Sequence, residues 1–111
     1  MFKQKINENN IVYNTNDTHK GGILIDTSMG AKNNFSMGIS EYFAEEFGNT
    51  GVHEDQEGFY VIEGSGRVKV GKEEFNIIKG DSFLVPAGIE HVLKKDKCSK
   101  ILKVLWSHGA I

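Results

Sequence analysis

The chain has one cysteine and one proline in 111 residues. With Cys98 alone, no disulfide can form within it, and a lone thiol fits a reducing compartment. Its neighbours Lys97, Ser99 and Lys100 read as a loop, so Cys98 is not expected to act as a nucleophile. A single proline beside 13 glycines points to tight turns rather than a proline-rich disordered chain. Long apolar runs are missing too. No segment approaches the roughly 20 apolar residues of a membrane span, and the residues after Met1 lack the apolar stretch of a secretory leader. The expected location is the cytoplasm, with no membrane partner. Nor is there an excess of positive charge: 13 Lys and Arg face 15 Asp and Glu, for a net charge of −2. The densest basic stretch, Lys94, Lys95, Lys97 and Lys100, is broken by Asp96 and reads as a solvated loop. Nucleic acid is therefore not an expected partner.

Helical periodicity is also scarce: no segment sustains it over three turns. Short apolar stretches recur instead, separated by glycine-rich turns. Ile11 to Tyr13, Gly22 to Ile25 and Phe35 to Phe43 read as strands in the first half, while Ala44 to Phe47 fits either a strand extension or a helical turn. Phe59 to Glu63, Arg67 to Val70, Glu73 to Ile78, Ser82 to Val85, His91 to Lys94 and Ile101 to Trp106 read as strands in the second half. In Arg67-Val68-Lys69-Val70 the alternation turns Val68 and Val70 inward. Close, regular spacing of short strands predicts an antiparallel sandwich or barrel, and the length suits one domain over 1–111. The last strand is apolar on both faces, with Leu102, Val104 and Trp106 on one and Ile101 and Leu105 on the other. Two covers fit its outer face: a second copy of the chain, giving a homodimer, or the chain's own N-terminal segment.

Two stretches carry candidate chemistry. The first, over 51–64, holds His53, Glu57 and Gly64. The second, over 80–95, holds Gly80, Pro86, Gly88 and His91. Imidazole nitrogens and carboxylate oxygens are the usual ligands of first-row divalent metals. His53 and Glu57 are four apart and can point the same way along a strand or across a turn. The Pro86-Ala87-Gly88 turn fixes the entry of the strand that His91 begins.

These two stretches resemble the cupin superfamily. The second matches the family's second motif through Gly80, Pro86, Gly88 and His91. The first matches the later part of its first motif through His53, Glu57 and Gly64. The resemblance implies an all-β, antiparallel jelly-roll β-barrel (a double-stranded β-helix) and a metal site made of His53, Glu57 and His91. The implied cofactor is a divalent transition metal: iron, manganese, nickel or zinc. Two positions depart from the pattern. Gly51 stands where the family usually has its first histidine, and Lys95 where it usually has an asparagine. A register taking His53 as that first histidine would put the glutamate position at Phe59 or Tyr60, and is rejected.

Each residue also has a plainer reading. His91 can be a hydrogen-bonded core histidine, His53 an exposed residue, and Glu54, Asp55 and Glu57 a solvated acidic loop. Asp55 can also lie beside His53 in the place of the missing ligand. His19 and His108 lie outside both stretches and read as surface residues. Tyr60, Phe83 and Trp106 suit either core or pocket wall. Two functions follow from the resemblance. One is an enzyme acting on a small hydroxy-carbonyl, sugar-like or carboxylate substrate, of isomerase, lyase or dioxygenase type. The other is a non-catalytic ligand-binding or sensing cupin with a reduced or absent metal site. Neither assigns a catalytic residue.

Overall fold

Alternation of buried and more exposed residues is clearest over 56–63 and 65–70, within nine strands that the computed structural model describes over residues 5–109. They are β1 (Asn14–Thr15), β2 (His19–Ile25), β3 (Ser36–Tyr42), β4 (Gln56–Glu63), β5 (Ser65–Val70), β6 (Glu73–Ile78), β7 (Ser82–Val85), β8 (His91–Lys95) and β9 (Leu102–Gly109). The rest of the described chain is turns, bends and two three-residue 3-10 segments. All pairings are antiparallel. One sheet has the order β1-β2-β3-β9-β4-β7 and the other β6-β5-β8. This is the jelly-roll arrangement, with the core between the two sheets.

The strands of the second half fall where the alternation puts them, usually extended by a residue or more. The first half departs more. Ile11 to Tyr13 forms no strand; the pairing begins at Asn14 and is only two residues long. The second strand starts at His19, three residues before the apolar run, because backbone pairing with β3 continues past it to Tyr42. Ala44 to Phe47 is neither strand nor helix. The first four residues lie outside the described part.

Strand β9 is the hub of the larger sheet, paired on one side with β3 and on the other with β4. Its inward residues Leu102 and Val104 are fully buried beside Val61 and face Val68 and Leu93 of the other sheet within one cluster. Burying each such side chain contributes roughly 1.5–3 kcal/mol, so this strand anchors the core. Trp106 also turns inward and donates from Nε1 to Ser40 Oγ at 3.1 Å. Its indole lines the interior cavity. On the outer face, the N-terminal segment reaches β9 through a 2.6 Å ion pair between Glu8 and Lys103. Further along that face, Leu105 lines a shallow groove with Met37, Tyr60 and Leu84.

The indole of Trp106 fits because its partner across β3 is Gly38. A Cβ at position 38 would collide with the Trp106 ring and with the backbone carbonyl of Gly22. Neither can withdraw without disturbing the sheet. Gly38→Ala is therefore expected to destabilise the fold by about 1–3 kcal/mol, the range for overpacked interiors. Gly58→Ala is the control: its nearest neighbour would be Ser107 Oγ at 3.7 Å, and its stability should be unchanged or slightly higher. Urea unfolding of the two variants checks the contrast.

Candidate metal centre

Glu57 is the second residue of β4 and points into the barrel, with its side chain only 5% exposed. Strand pairing sets its neighbours. Opposite it on one side is Val85, the last residue of β7, and on the other is His108 of β9. His53 lies outside β4, separated from it by a bend at Glu54 and Asp55. It is the bend, and not strand period, that turns His53 back toward Glu57. Two sets of backbone hydrogen bonds tie the stretches together. Gly88 N–H donates to His53 O at 2.8 Å, while Gly51 and His91 exchange bonds of 2.8 and 2.9 Å. Gly88 adopts φ +76, a left-handed turn that favours glycine and aims its N–H at His53. His91 follows three residues later at the start of β8.

The three side chains converge. His91 Nε2 lies 3.2 Å and His53 Nε2 3.5 Å from the same oxygen, Glu57 Oε1. One ligand atom from each of the three residues falls within 4.8 Å of the other two. His91 and Glu57 are buried; the His53 side chain is 42% exposed. Burial pushes the His53 imidazole below its usual pKa, outweighing the opposite pull of Glu57. That favours the neutral ring, the form with a free lone pair.

A divalent cation fits these residues. Glu57 Oε1 is buried and has no hydrogen-bond partner, although two imidazole nitrogens stand beside it. A buried carboxylate oxygen without a hydrogen bond is costly. On a tetrahedral or octahedral ion with bonds near 2.0–2.2 Å, adjacent ligand atoms sit roughly 3.0–3.5 Å apart. The observed 3.2 and 3.5 Å match that spacing. The far nitrogen of His91, Nδ1, is buried without a partner. That differs from the usual ligating histidine, whose other nitrogen is hydrogen-bonded. Its ring is instead held by packing, tilted against Phe59 at 5.8 Å between centroids.

The cluster opens on a cavity of about 510 Å³ whose wall includes Tyr42, Phe59, Trp106 and the polar residues Asn16, Asn49 and Thr50. Tyr42 is almost wholly buried, and desolvation with the nearby Glu57 carboxylate raises its phenol far above the usual range. It stays a neutral hydroxyl. Tyr60 points the other way and is 46% exposed, while Phe83 stacks on Phe59 at 4.7 Å in the core.

Two histidines expected on the surface belong to this interior instead. His108 Nε2 stands 2.8 Å from Glu57 Oε2, and its Nδ1 stands 3.1 Å from Asp55 Oδ1. His19 stacks on Tyr42 at 4.5 Å and lines the cavity. A signal for His108 was present: it continues the Leu102, Val104, Trp106 alternation by one more step. For His19 there was none, since its strand outruns its own apolar residues. Asp55 lies beside His108, with Oδ1 3.1 Å from its Nδ1, and is not one of the three residues whose ligand atoms converge. Lys95 is buried rather than solvated, with Nζ 3.2 Å from Glu45 Oε2 and 3.2 Å from Asp96 O. It sits at the opposite end of β8 from His91, roughly 13 Å along the strand, and takes no part in the cluster.

The chain belongs to the cupin domain family, whose family model matches residues 44–108. No match was found among curated proteins. Among solved structures, it is similar to the polyketide cyclase RemF of Streptomyces resistomycificus, with 17% identity and a TM-score of 0.82 over 97% of this chain and 80% of that one. It is also similar to the oxalate decarboxylase OxdC of Bacillus subtilis, with 15% identity and a TM-score of 0.83 over 98% of this chain and 30% of that one. The cupin domain of Schizosaccharomyces pombe Cnp3 aligns with 20% identity and a TM-score of 0.71, covering 84% of this chain and 61% of that one. The chain thus spans less than two thirds of the Cnp3 domain and under a third of OxdC. At these identities the likeness is one of fold.

Burial lowers the pKa of His19 from the usual 6.5, so the folded protein holds it neutral. As pH falls through 6.5, the unfolded chain takes up that proton first, and stability is lost until the folded state's lower pKa is passed. His19→Gln should therefore lessen the fall in melting temperature between about pH 7 and pH 5 relative to the wild type. Thermal unfolding across that range checks it.

Proposed function

We propose that this cupin binds a divalent transition metal through His53 Nε2, Glu57 Oε1 and His91 Nε2, and uses it to act on a small molecule held in the adjoining cavity. The observation that carries this reading is the buried, unpartnered Glu57 Oε1 with two imidazole nitrogens at 3.2 and 3.5 Å. Two histidines and one carboxylate leave further coordination positions open, as in metal sites that admit substrate. A bound ion would supply Lewis acidity for isomerase or lyase chemistry or, if iron, a centre for dioxygenase chemistry.

The residues around the cluster define what the cavity can accept. Tyr42, Phe59 and Trp106 offer apolar surface; Asn16, Asn49 and Thr50 offer neutral donors and acceptors. Among the described residues of the wall there is no lysine or arginine. A hydroxy-carbonyl or sugar-like compound suits this wall, and a carboxylate substrate would be held at the metal rather than by a protein cation. Trp106 is held by Ser40, so the apolar side of the cavity is set before any ligand arrives.

A second reading, a binding or sensing cupin without turnover, is favoured by Gly51, where a further imidazole is missing. The backbone there accepts a side chain's first carbon. A Cβ there would meet nothing nearer than His91 Cε1 at 3.8 Å.

Elemental analysis of tag-free protein purified without chelators tests the metal. About one equivalent is expected in the wild type and none in a His53→Ala, His91→Ala double variant; no metal and no uptake on titration would overturn the site. Glu57→Ala should weaken metal binding beyond the roughly 10–100-fold typical of losing an outer partner. Gly51→His should tighten it. An unchanged affinity would show that position 51 does not face the ion. Metal bound at full occupancy with no turnover of any hydroxy-carbonyl, sugar or carboxylate compound would favour the sensing reading.

A further inference from the structure

We propose that Asp55 and His108 form a positioning pair that locks the Glu57 carboxylate, occupying Oε2 so that Oε1 alone is presented to the metal. This rests on the metal reading above and adds two residues to it. Neither contributes an atom to the three-ligand group, and neither belongs to the spacing pattern that pointed to the site.

The geometry is a relay of two contacts. Asp55 Oδ1 meets His108 Nδ1 at 3.1 Å, and His108 Nε2 meets Glu57 Oε2 at 2.8 Å. All three side chains are largely withdrawn from solvent, at 14%, 15% and 5% exposure. This is therefore not a surface ion pair, which would contribute little. The His108 ring is also held by packing. It stands edge-on to His53 at 4.4 Å and to Trp106 at 5.2 Å between centroids. With a carboxylate at each nitrogen and a ring on either side, it cannot turn without giving up several contacts at once.

The consequence falls on Glu57. The terminal torsion of a glutamate is broad and intrinsically undemanding, so an unrestrained Glu57 could offer either oxygen or both. Pairing Oε2 with His108 removes that freedom and leaves Oε1 as the unpartnered atom. A single oxygen at the ion keeps more coordination positions open than a bidentate carboxylate would. Outer partners of this kind orient ligands and raise affinity. With three ligand atoms rather than four, the site depends more on each being held in place beforehand. The source of the pair is topological. His108 is the direct cross-strand neighbour of Glu57, and Asp55 sits in the bend that brings His53 back.

The test is metal affinity of the full chain, stripped with a chelator and titrated with Zn²⁺ against a competing indicator. Spectra of the Co²⁺-loaded forms are recorded in parallel. His108→Ala should weaken Zn²⁺ binding by about 10–100-fold. His108→Gln, which restores an N–H toward Glu57, should recover much of it. Asp55→Ala should weaken binding less, and should add nothing in the His108→Ala background, because it acts through that ring. The Co²⁺ spectrum should keep the same number of nitrogen ligands throughout. Unchanged Zn²⁺ affinity in His108→Ala, while the His53→Ala, His91→Ala double variant loses the metal, would overturn the pair but leave the metal site standing. A Co²⁺ spectrum that loses a nitrogen ligand would make His108 a ligand and overturn the positioning role. Wild-type protein that takes up no metal would overturn both. If His108→Ala fails to fold, His108→Gln and Asp55→Ala decide. Near-wild-type affinity in His108→Gln with weakening in Asp55→Ala supports the pair, and an unchanged Asp55→Ala overturns it.

Discussion

A carboxylate buried at the end of a β-barrel is the constraint around which this structure is arranged. Glu57 is 5% exposed and its two oxygens are flanked by three imidazoles, from His53, His91 and His108. A bare carboxylate in such a place would be strongly disfavoured, so its surroundings must either neutralise it or give it a cation. The histidines share this between them. His108 meets one oxygen, and the other two stand around an oxygen that no hydrogen bond satisfies. Among the described residues no hydrogen bond completes this arrangement, and that is the place the proposed metal ion would take.

Core and site are coupled through one strand. Leu102 and Val104 of β9 fill the middle of the barrel, and the same inward face continues through Trp106 to His108. Packing at one end of the strand therefore sets the height and direction of the imidazole at the other. Gly38 supports the same alignment by making room for the indole. Changes far from the ligands, at positions that look purely structural, are expected to reach the site by this route.

Likeness to a polyketide cyclase, an oxalate decarboxylase and the Cnp3 cupin domain, all at 20% identity or below, shows how little the fold alone says about the reaction. What separates such proteins is the ligand set and the cavity wall. In this chain the candidate ligands are a two-histidine, one-carboxylate cluster, beside a wall that includes aromatic and neutral polar side chains. The function proposed rests on these particulars and not on the neighbours.

An antiparallel all-β sandwich or barrel was legible from period-two alternation and turn glycines, which are local signals written into consecutive residues. The jelly roll and the three residues that meet at the site were legible through the resemblance of the stretches from His53 to Gly64 and from Gly80 to His91 to the cupin motifs. The burial of Val68 and the inward face of β9 were legible from the alternation. Register between distant strands was not. His108 reaches Glu57 because β9 pairs with β4 across half the chain. His19 reaches the cavity because β2 follows β3 beyond its own apolar run. Lys95 leaves water because Glu45, fifty positions earlier, lies against it. No local pattern encodes such pairings; they appear only when the sheets close and hydrogen-bonding partners become fixed.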